Sequence, residues 1–264
     1  MWCGCPHLDL SVGTVDGPSE SSDTDRVSGL VELDRVDRTF RSGEGSITAL
    51  AEVTLSISPA TFVAVMGSTG SGKSTLLHCA AGLDRPNSGT VRLCGAQLGR
   101  MSERAIARLR RERIGFVFQS YNLLSGLSVE QNVLLPHRLG GPLAMTVADA
   151  LGHVGLSGTE RRPVGELSGG QRQRVAVARA LITGPDVVFA DEPTGALDPT
   201  TGRHILELLR SAVDDRGVTV VMVSHDPPAA SVSDRLVLLR AGRVVGDRET
   251  PDAATIAAEL RAVA

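Results

Sequence analysis

Apolar and polar residues alternate over 30–36 and 49–58, the period-two pattern of half-buried strands. Residues 61–66 form a short unbroken apolar run, read as a buried strand, and a glycine-rich turn follows at once. The spacing predicts a helix over 74–81, a strand over 90–94, an arginine-rich helix over 102–112 and a further apolar strand over 114–118. Helical patterns dominate 128–183. The runs 186–190 and 218–223 have the continuous apolar character of parallel, doubly covered strands. Helices are expected around them, near 199–216 and 226–232. A final hairpin is expected over 236–240 and 243–246, turning at Ala241-Gly242, before an amphipathic helix over 252–263.

The order of these elements predicts an α/β fold: a P-loop core with a parallel sheet, an antiparallel β subdomain, and an inserted helical subdomain at about 97–170. Residues 1–28 are rich in Ser, Asp, Gly and Thr and read as a disordered tail ahead of one domain over 29–264. No internal repeat is visible, so a single cassette is expected.

Composition narrows the function classes. The 264 residues carry a net charge of −3 and a pI near 6.1, which gives no bulk reason to expect nucleic-acid binding. No run approaches the roughly 18 apolar residues that span a bilayer, so a cytoplasmic chain is expected whose membrane role comes through a partner. Cys79 and Cys94 sit in apolar surroundings and read as small core residues. Cys3 and Cys5, in the polar tail, lack the further ligands a metal site would need. Of 27 basic residues, 26 are arginine, and the single lysine is Lys73. An ammonium on a flexible stem does a different job from a guanidinium fork, which draws attention to position 73.

Lys73 belongs to Gly67-Ser68-Thr69-Gly70-Ser71-Gly72-Lys73-Ser74-Thr75, a phosphate-binding loop that follows a predicted strand and opens a predicted helix. Its glycines let backbone N–H groups approach phosphate oxygens, and the helix N-terminus favours anions. Lys73 would reach the terminal phosphates and Ser74 would ligate Mg²⁺. The apolar run 187–190 ends in Asp191 and Glu192. Carboxylates at the carboxyl end of a parallel strand suit a metal-holding Asp191 and a water-polarising Glu192. A second glycine-bearing helix start, Leu167-Ser168-Gly169-Gly170-Gln171, precedes Arg172-Gln173-Arg174-Val175-Ala176. Ser168 is a good N-cap. Two phosphate-cradling starts but one acidic strand end are explained economically by a two-fold dimer in which each site is shared.

The last motif resembles the signature sequence of the ABC (ATP-binding cassette) proteins, and the resemblance covers about residues 29–250. It implies an ATPase using ATP and Mg²⁺, with Lys73, Gln119, Glu192 and His225 in the hydrolytic set. Phe40 resembles the aromatic residue that stacks on adenine, although it could also simply pack. Gln119 resembles the glutamine joining Mg²⁺ and the attacking water to the helical subdomain. Ser168, Gly169, Gly170 and Gln171 should contact ATP held by the opposite chain. Asp198 resembles a dimer-contact residue, though before Pro199 it is equally a helix N-cap. His225 resembles the switch histidine that touches the γ-phosphate. The segments 42–45, 121–133 and 191–198 look like the branch containing macrolide exporters, lipoprotein-release systems and the division-associated cassette. That branch implies a second copy of the chain, a separate integral-membrane permease docked on the segment after Gln119, and a peripheral position at the cytoplasmic face. A force-transmitting ATPase of a division-type membrane complex is the alternative reading.

Overall fold

A computed structural model describes residues 29–42 and 45–263. The expected tail, and Gly43 and Glu44 of the expected loop, lie outside the described residues.

Strands β1 (Val31–Ser42) and β2 (Gly45–Ile57) form a long antiparallel hairpin, paired from Val31 opposite Ile57 to Ser42 opposite Gly45. The other edge of β1 takes β4 (Ser88–Leu93), which pairs in turn with the two-residue β5 (Ala96–Gln97). The strand expected at 30–36 therefore continues through Ser42. Beyond Val36 it carries Asp37, Arg38 and Thr39, so apolar alternation stops while backbone pairing does not. Register shifts around Val36 and Arg38 mark bulges, which absorb the left-handed Arg35 and Glu52 at φ 46° and 52°.

Six strands build the second sheet: β3 (Phe62–Met66), β6 (Ile114–Phe118), β7 (Val187–Asp191), β8 (Thr219–Val223), β9 (Arg235–Arg240) and β10 (Arg243–Glu249), in the order β10-β9-β3-β8-β7-β6. All neighbours are parallel except β10, which returns antiparallel through Ala241-Gly242, at φ 47° and 76°. Strand side chains point to alternate faces. Phe62, Ala64 and Met66 accordingly enter one core, and Val63 and Val65 the other. The second core fills the space between the sheets and includes Leu76, Leu77 and Cys79 of helix α1 (Lys73–Ala80). Cys79 is buried as expected, and its thiol is pushed up to about 12, chiefly by desolvation. Cys94 meets the expectation in part: at φ 50° in the turn between β4 and β5 it is half-buried and packs against the edge of the second core.

The first core lies under helices α3 (Val129–Val133), α5 (Val147–His153), α6 (Gly169–Leu181) and α7 (Pro199–Arg216). Helix α2 (Glu103–Arg113), capped by Ser102, leads into β6. The stretch 97–170 is thus interrupted by a strand of the main sheet, and its remaining helices follow Phe118. The short α4 (Leu135–Arg138) lies there too, and α8 (Pro227–Ala230) and α9 (Ala253–Val263) complete the chain. No helix among the described residues is long and apolar enough to cross a membrane.

Parallel registry places Phe118 beside Asp191 and Asp191 beside Val223. The residues that follow these strands therefore emerge at one edge of the sheet, next to the loop after β3.

Candidate functional site

The loop after β3 wraps around its own lysine. Lys73 Nζ donates to the carbonyls of Gly67 at 2.8 Å and Ser68 at 2.9 Å. Gly67 passes so close to β9 that an added Cβ would lie 2.1 Å from the Leu239 carbonyl oxygen. Gly72, at φ 104°, would meet the Ala49 carbonyl at the same distance. The loop is also tied to the β9–β10 turn, since the Gly242 N–H donates to the Ser71 carbonyl at 2.9 Å. Ser71 Oγ is buried with no hydrogen-bond partner. A burial of this kind costs free energy unless a ligand pairs the group, so the orphan hydroxyl fits a phosphate-binding cradle. Burial pushes the Lys73 ammonium down from its ordinary pKa, while the charges of Glu192 and Asp191 oppose that shift.

The acidic strand end faces this loop. Ser74 Oγ donates to Asp191 Oδ1 at 3.2 Å, joining the start of α1 to the end of β7. These hard oxygens are a donor set that suits Mg²⁺. Glu192 sits at φ 49°, an uncommon backbone state for a non-glycine residue, and its N–H is held by the Val223 carbonyl at 3.0 Å. Its Oε1 lies 2.9 Å from His225 Nδ1 at the end of β8. Glu192 and His225 share a cleft of about 340 Å³ with Thr69, Gly70, Lys73 and Ser74. Phe40 of β1 lines the far side with Ile47, its cross-strand neighbour, and is 39% exposed.

The second helix start lies elsewhere: none of Ser168, Gly169, Gly170 and Gln171 lines this cleft. They open α6 with a reciprocal capping box. The Gln171 N–H donates to Ser168 Oγ at 3.3 Å, and the Ser168 N–H to Gln171 Oε1 at 3.0 Å. First-turn N–H groups have no intrahelical partner, so those of Gly169 and Gly170 stay free to bind an anion. Gln119 is exposed just past β6 and lies against the loop after Glu192, with Nε2 2.9 Å from where a Cβ on Gly195 would stand.

The sequence profile of the family described as "ABC transporter" matches residues 50–195, more than half of the chain. The chain belongs to the ABC transporter family. It is an ATPase of that family. The Macrolide export ATP-binding/permease protein MacB of Neisseria gonorrhoeae is 44% identical over 222 residues, 83% of this chain and 34% of the relative. The protein of the same name from an Azoarcus species is 43% identical over 234 residues, 87% of this chain and 35% of the relative. The chain therefore spans about a third of the length of the curated relatives it matches. Among solved structures, a post-hydrolysis dimer of the ATP-binding cassette MJ0796 bound to ADP and Pi is 37% identical. It superposes with a TM-score of 0.78 over 84% of this chain and 99% of the other. The cbiO1 structure from Clostridium perfringens, described as part of an ABC transporter complex, gives 0.74 at 27% identity, covering 89% and 93%.

Within this ABC cassette several residues that sequence reasoning passed over tie the motifs together. Gln173 is fully buried in α6, and its Nε2 donates to the Pro193 carbonyl at 2.7 Å, joining the signature helix to the loop after Glu192. Arg179 of α6 donates to the carbonyls of Asn122 at 2.5 Å and Tyr121 at 2.8 Å, two residues held at positive φ. Asn132, fully buried in α3, accepts from the Leu124 N–H at 2.8 Å and donates to the Leu124 and Ser128 carbonyls. The segment after Gln119 is thereby fixed from both sides. Asp198 caps α7, its Oδ1 accepting from Thr200 and Thr201 at 3.1 and 3.0 Å.

Proposed function

We propose that two copies of the chain assemble head to tail around two ATP molecules, and that hydrolysis in this dimer drives a separate membrane permease. The supporting observation is an incomplete site. Lys73, Glu192, His225 and Phe40 share one cleft, whereas the free donors at Gly169 and Gly170 lie outside it. A two-fold partner would bring its own Ser168, Gly169, Gly170 and Gln171 to the γ-phosphate and complete the cradle. Asp198, exposed at the start of α7, would lie in the contact between copies.

Residue roles follow from chemistry. Phe40 would stack on adenine, and Gly67 to Thr75 would hold the phosphates. Glu192 would take up the proton of the attacking water while His225 orients its carboxylate and donates toward the γ-phosphate. Lys73 and the backbone donors would stabilise negative charge developing on the phosphate oxygens. Mg²⁺ would be held by Ser74 and Asp191, with Gln119 at its border, and would supply further charge neutralisation there.

The relatives named as export ATP-binding/permease proteins support coupling to a permease, and an export-type role is the reading favoured. The segment after Gln119, together with the helices that follow β6, would form the subdomain that receives that permease at the cytoplasmic face of the membrane. Gel filtration of the Glu192→Gln chain tests the assembly: a shift to dimer with ATP is expected, and loss of that shift on adding Gly169→Val. Identical elution with and without ATP would contradict it. Recovery of an integral-membrane protein with the chain from solubilised membranes tests the coupling, and its absence would count against a permease partner.

A further inference from the structure

We propose that Arg38 and Asp84 form a bracket that sets the base platform at a fixed distance from the phosphate loop, making Arg38 a positioning residue for the nucleotide's ring system. The proposal rests on the reading of Phe40 as that platform.

An exposed aromatic residue on a strand has several rotamers open to it, and a platform that must be ordered on binding costs affinity. Phe40 is not left free. The Arg38 guanidinium carbon stands 4.4 Å from the centroid of its ring, within cation–π range. Phe40 lines the cleft and Arg38 does not, so the guanidinium covers the ring from outside and leaves the cleft side for a ligand. The cation is itself held by a planar fork. Arg38 Nε donates to Asp84 Oδ2 at 3.0 Å, and Nη2 to Asp84 Oδ1 at 2.8 Å, with both side chains mostly buried.

Asp84 is placed by the helix that the phosphate loop opens. The N–H groups of Leu83 and Asp84 both donate to the His78 carbonyl in the last turn of α1, at 2.8 and 3.2 Å. The residues on either side of Arg38 are held by the loop after α1 and by the first residue of β4. Ser88 Oγ donates to Asp37 Oδ2 at 2.6 Å, and the Thr39 N–H donates to Asn87 Oδ1 at 2.8 Å. Three consecutive residues of β1 are thus fastened to the segment that runs from the end of α1 into β4. The aromatic ring and the phosphate cradle sit on different sheets, and this bracket joins them. Its consequence is selective: it strengthens binding of a nucleotide, which spans both parts, and leaves a bare polyphosphate unaffected.

Titration calorimetry of the full chain with ADP and with inorganic pyrophosphate tests this. Arg38→Met and Asp84→Asn are each expected to weaken ADP about two- to five-fold, the range for an exposed cation–π contact, with pyrophosphate unchanged. Arg38→Lys keeps the charge but loses the fork, and should fall between the two. Phe40→Ala should weaken ADP at least as much, and Arg38→Met should add nothing in that background. Equal weakening of ADP and pyrophosphate by Arg38→Met would reveal general distortion and overturn the bracket. Unchanged ADP affinity in Arg38→Met, with Phe40→Ala impaired, would overturn it too. Unchanged ADP affinity in Phe40→Ala would instead remove the platform reading itself, and the bracket with it.

Discussion

His225 Nδ1 lies 2.9 Å from Glu192 Oε1, joining the ends of two adjacent parallel strands across the cleft that holds Lys73. The carboxylate is held off the usual backbone geometry by its positive φ and aimed by the imidazole. Glu192→Gln keeps size and hydrogen bonding but cannot accept a proton. ATP turnover is expected to fall roughly 10²–10⁴-fold with ATP affinity retained. A steady-state hydrolysis assay beside equilibrium binding checks this, and near-normal turnover would remove Glu192 from its role.

Lys73→Arg keeps the charge and changes the shape. The ammonium fits between two carbonyls at 2.8 and 2.9 Å, a niche for a compact donor and not for a planar fork. The variant is expected to lose about a hundred-fold or more in turnover, the scale seen when a preorganised charge-stabilising donor is misplaced. Wild-type rates in Lys73→Arg would show that charge alone suffices.

Gly170 has a structural duty besides any contact with phosphate. A Cβ there would stand 2.3 Å from Thr201 Cγ2 in the first turn of α7. Thr201 is fixed in place at the α7 start, where its N–H donates to Asp198 Oδ1 at 3.0 Å. Gly170→Ala should therefore cost about 1–3 kcal/mol of stability, as overpacking usually does. Thr201→Ser removes the obstructing methyl and should recover most of that loss in urea unfolding. An unaltered midpoint in Gly170→Ala would refute the tight contact.

Asp198 gives a pH test of the α7 cap. Its carboxyl is held below its ordinary 3.8, first by the Thr201 side chain and then by backbone N–H donors. A depressed folded-state pKa means stabilisation fully present above 3.8 and lost as pH falls through the lower, folded value. Asp198→Asn caps comparably but does not titrate. Without nucleotide, the stability gap between wild type and Asp198→Asn should stay constant from neutral pH to mildly acidic pH, then shrink below the ordinary carboxylate range. A gap that does not change down to strong acid would contradict the cap's ionic character.

What the sequence disclosed follows from which interactions leave a local trace. Strands β3, β6, β7 and β8 were legible because parallel strands covered on both faces must be apolar throughout. The phosphate loop, the acidic strand end and the signature helix start announce themselves through glycine and charge at fixed spacing. The outer half of β1 did not, since Asp37, Arg38 and Thr39 are held by partners more than forty residues away. Nothing in the sequence alone assigns a role to Gln173 or Arg179 in α6. Their burial arises from loops folded over α6, which no 3.6-residue period reports. Cys94 does pack against the core, as its apolar neighbours suggest, but the left-handed turn that leaves it only half-buried has no apolar signature.

The shared site is tested most directly by cross-linking in the Glu192→Gln background, with the chain's own four cysteines replaced by serine. Chains bearing only Thr69→Cys are mixed with chains bearing only Ser168→Cys, and a short thiol cross-linker is applied with and without ATP. ATP should produce a linked pair containing one chain of each kind, absent without nucleotide. No mixed pair with ATP, or the same yield in its absence, would contradict a terminal phosphate gripped by both copies.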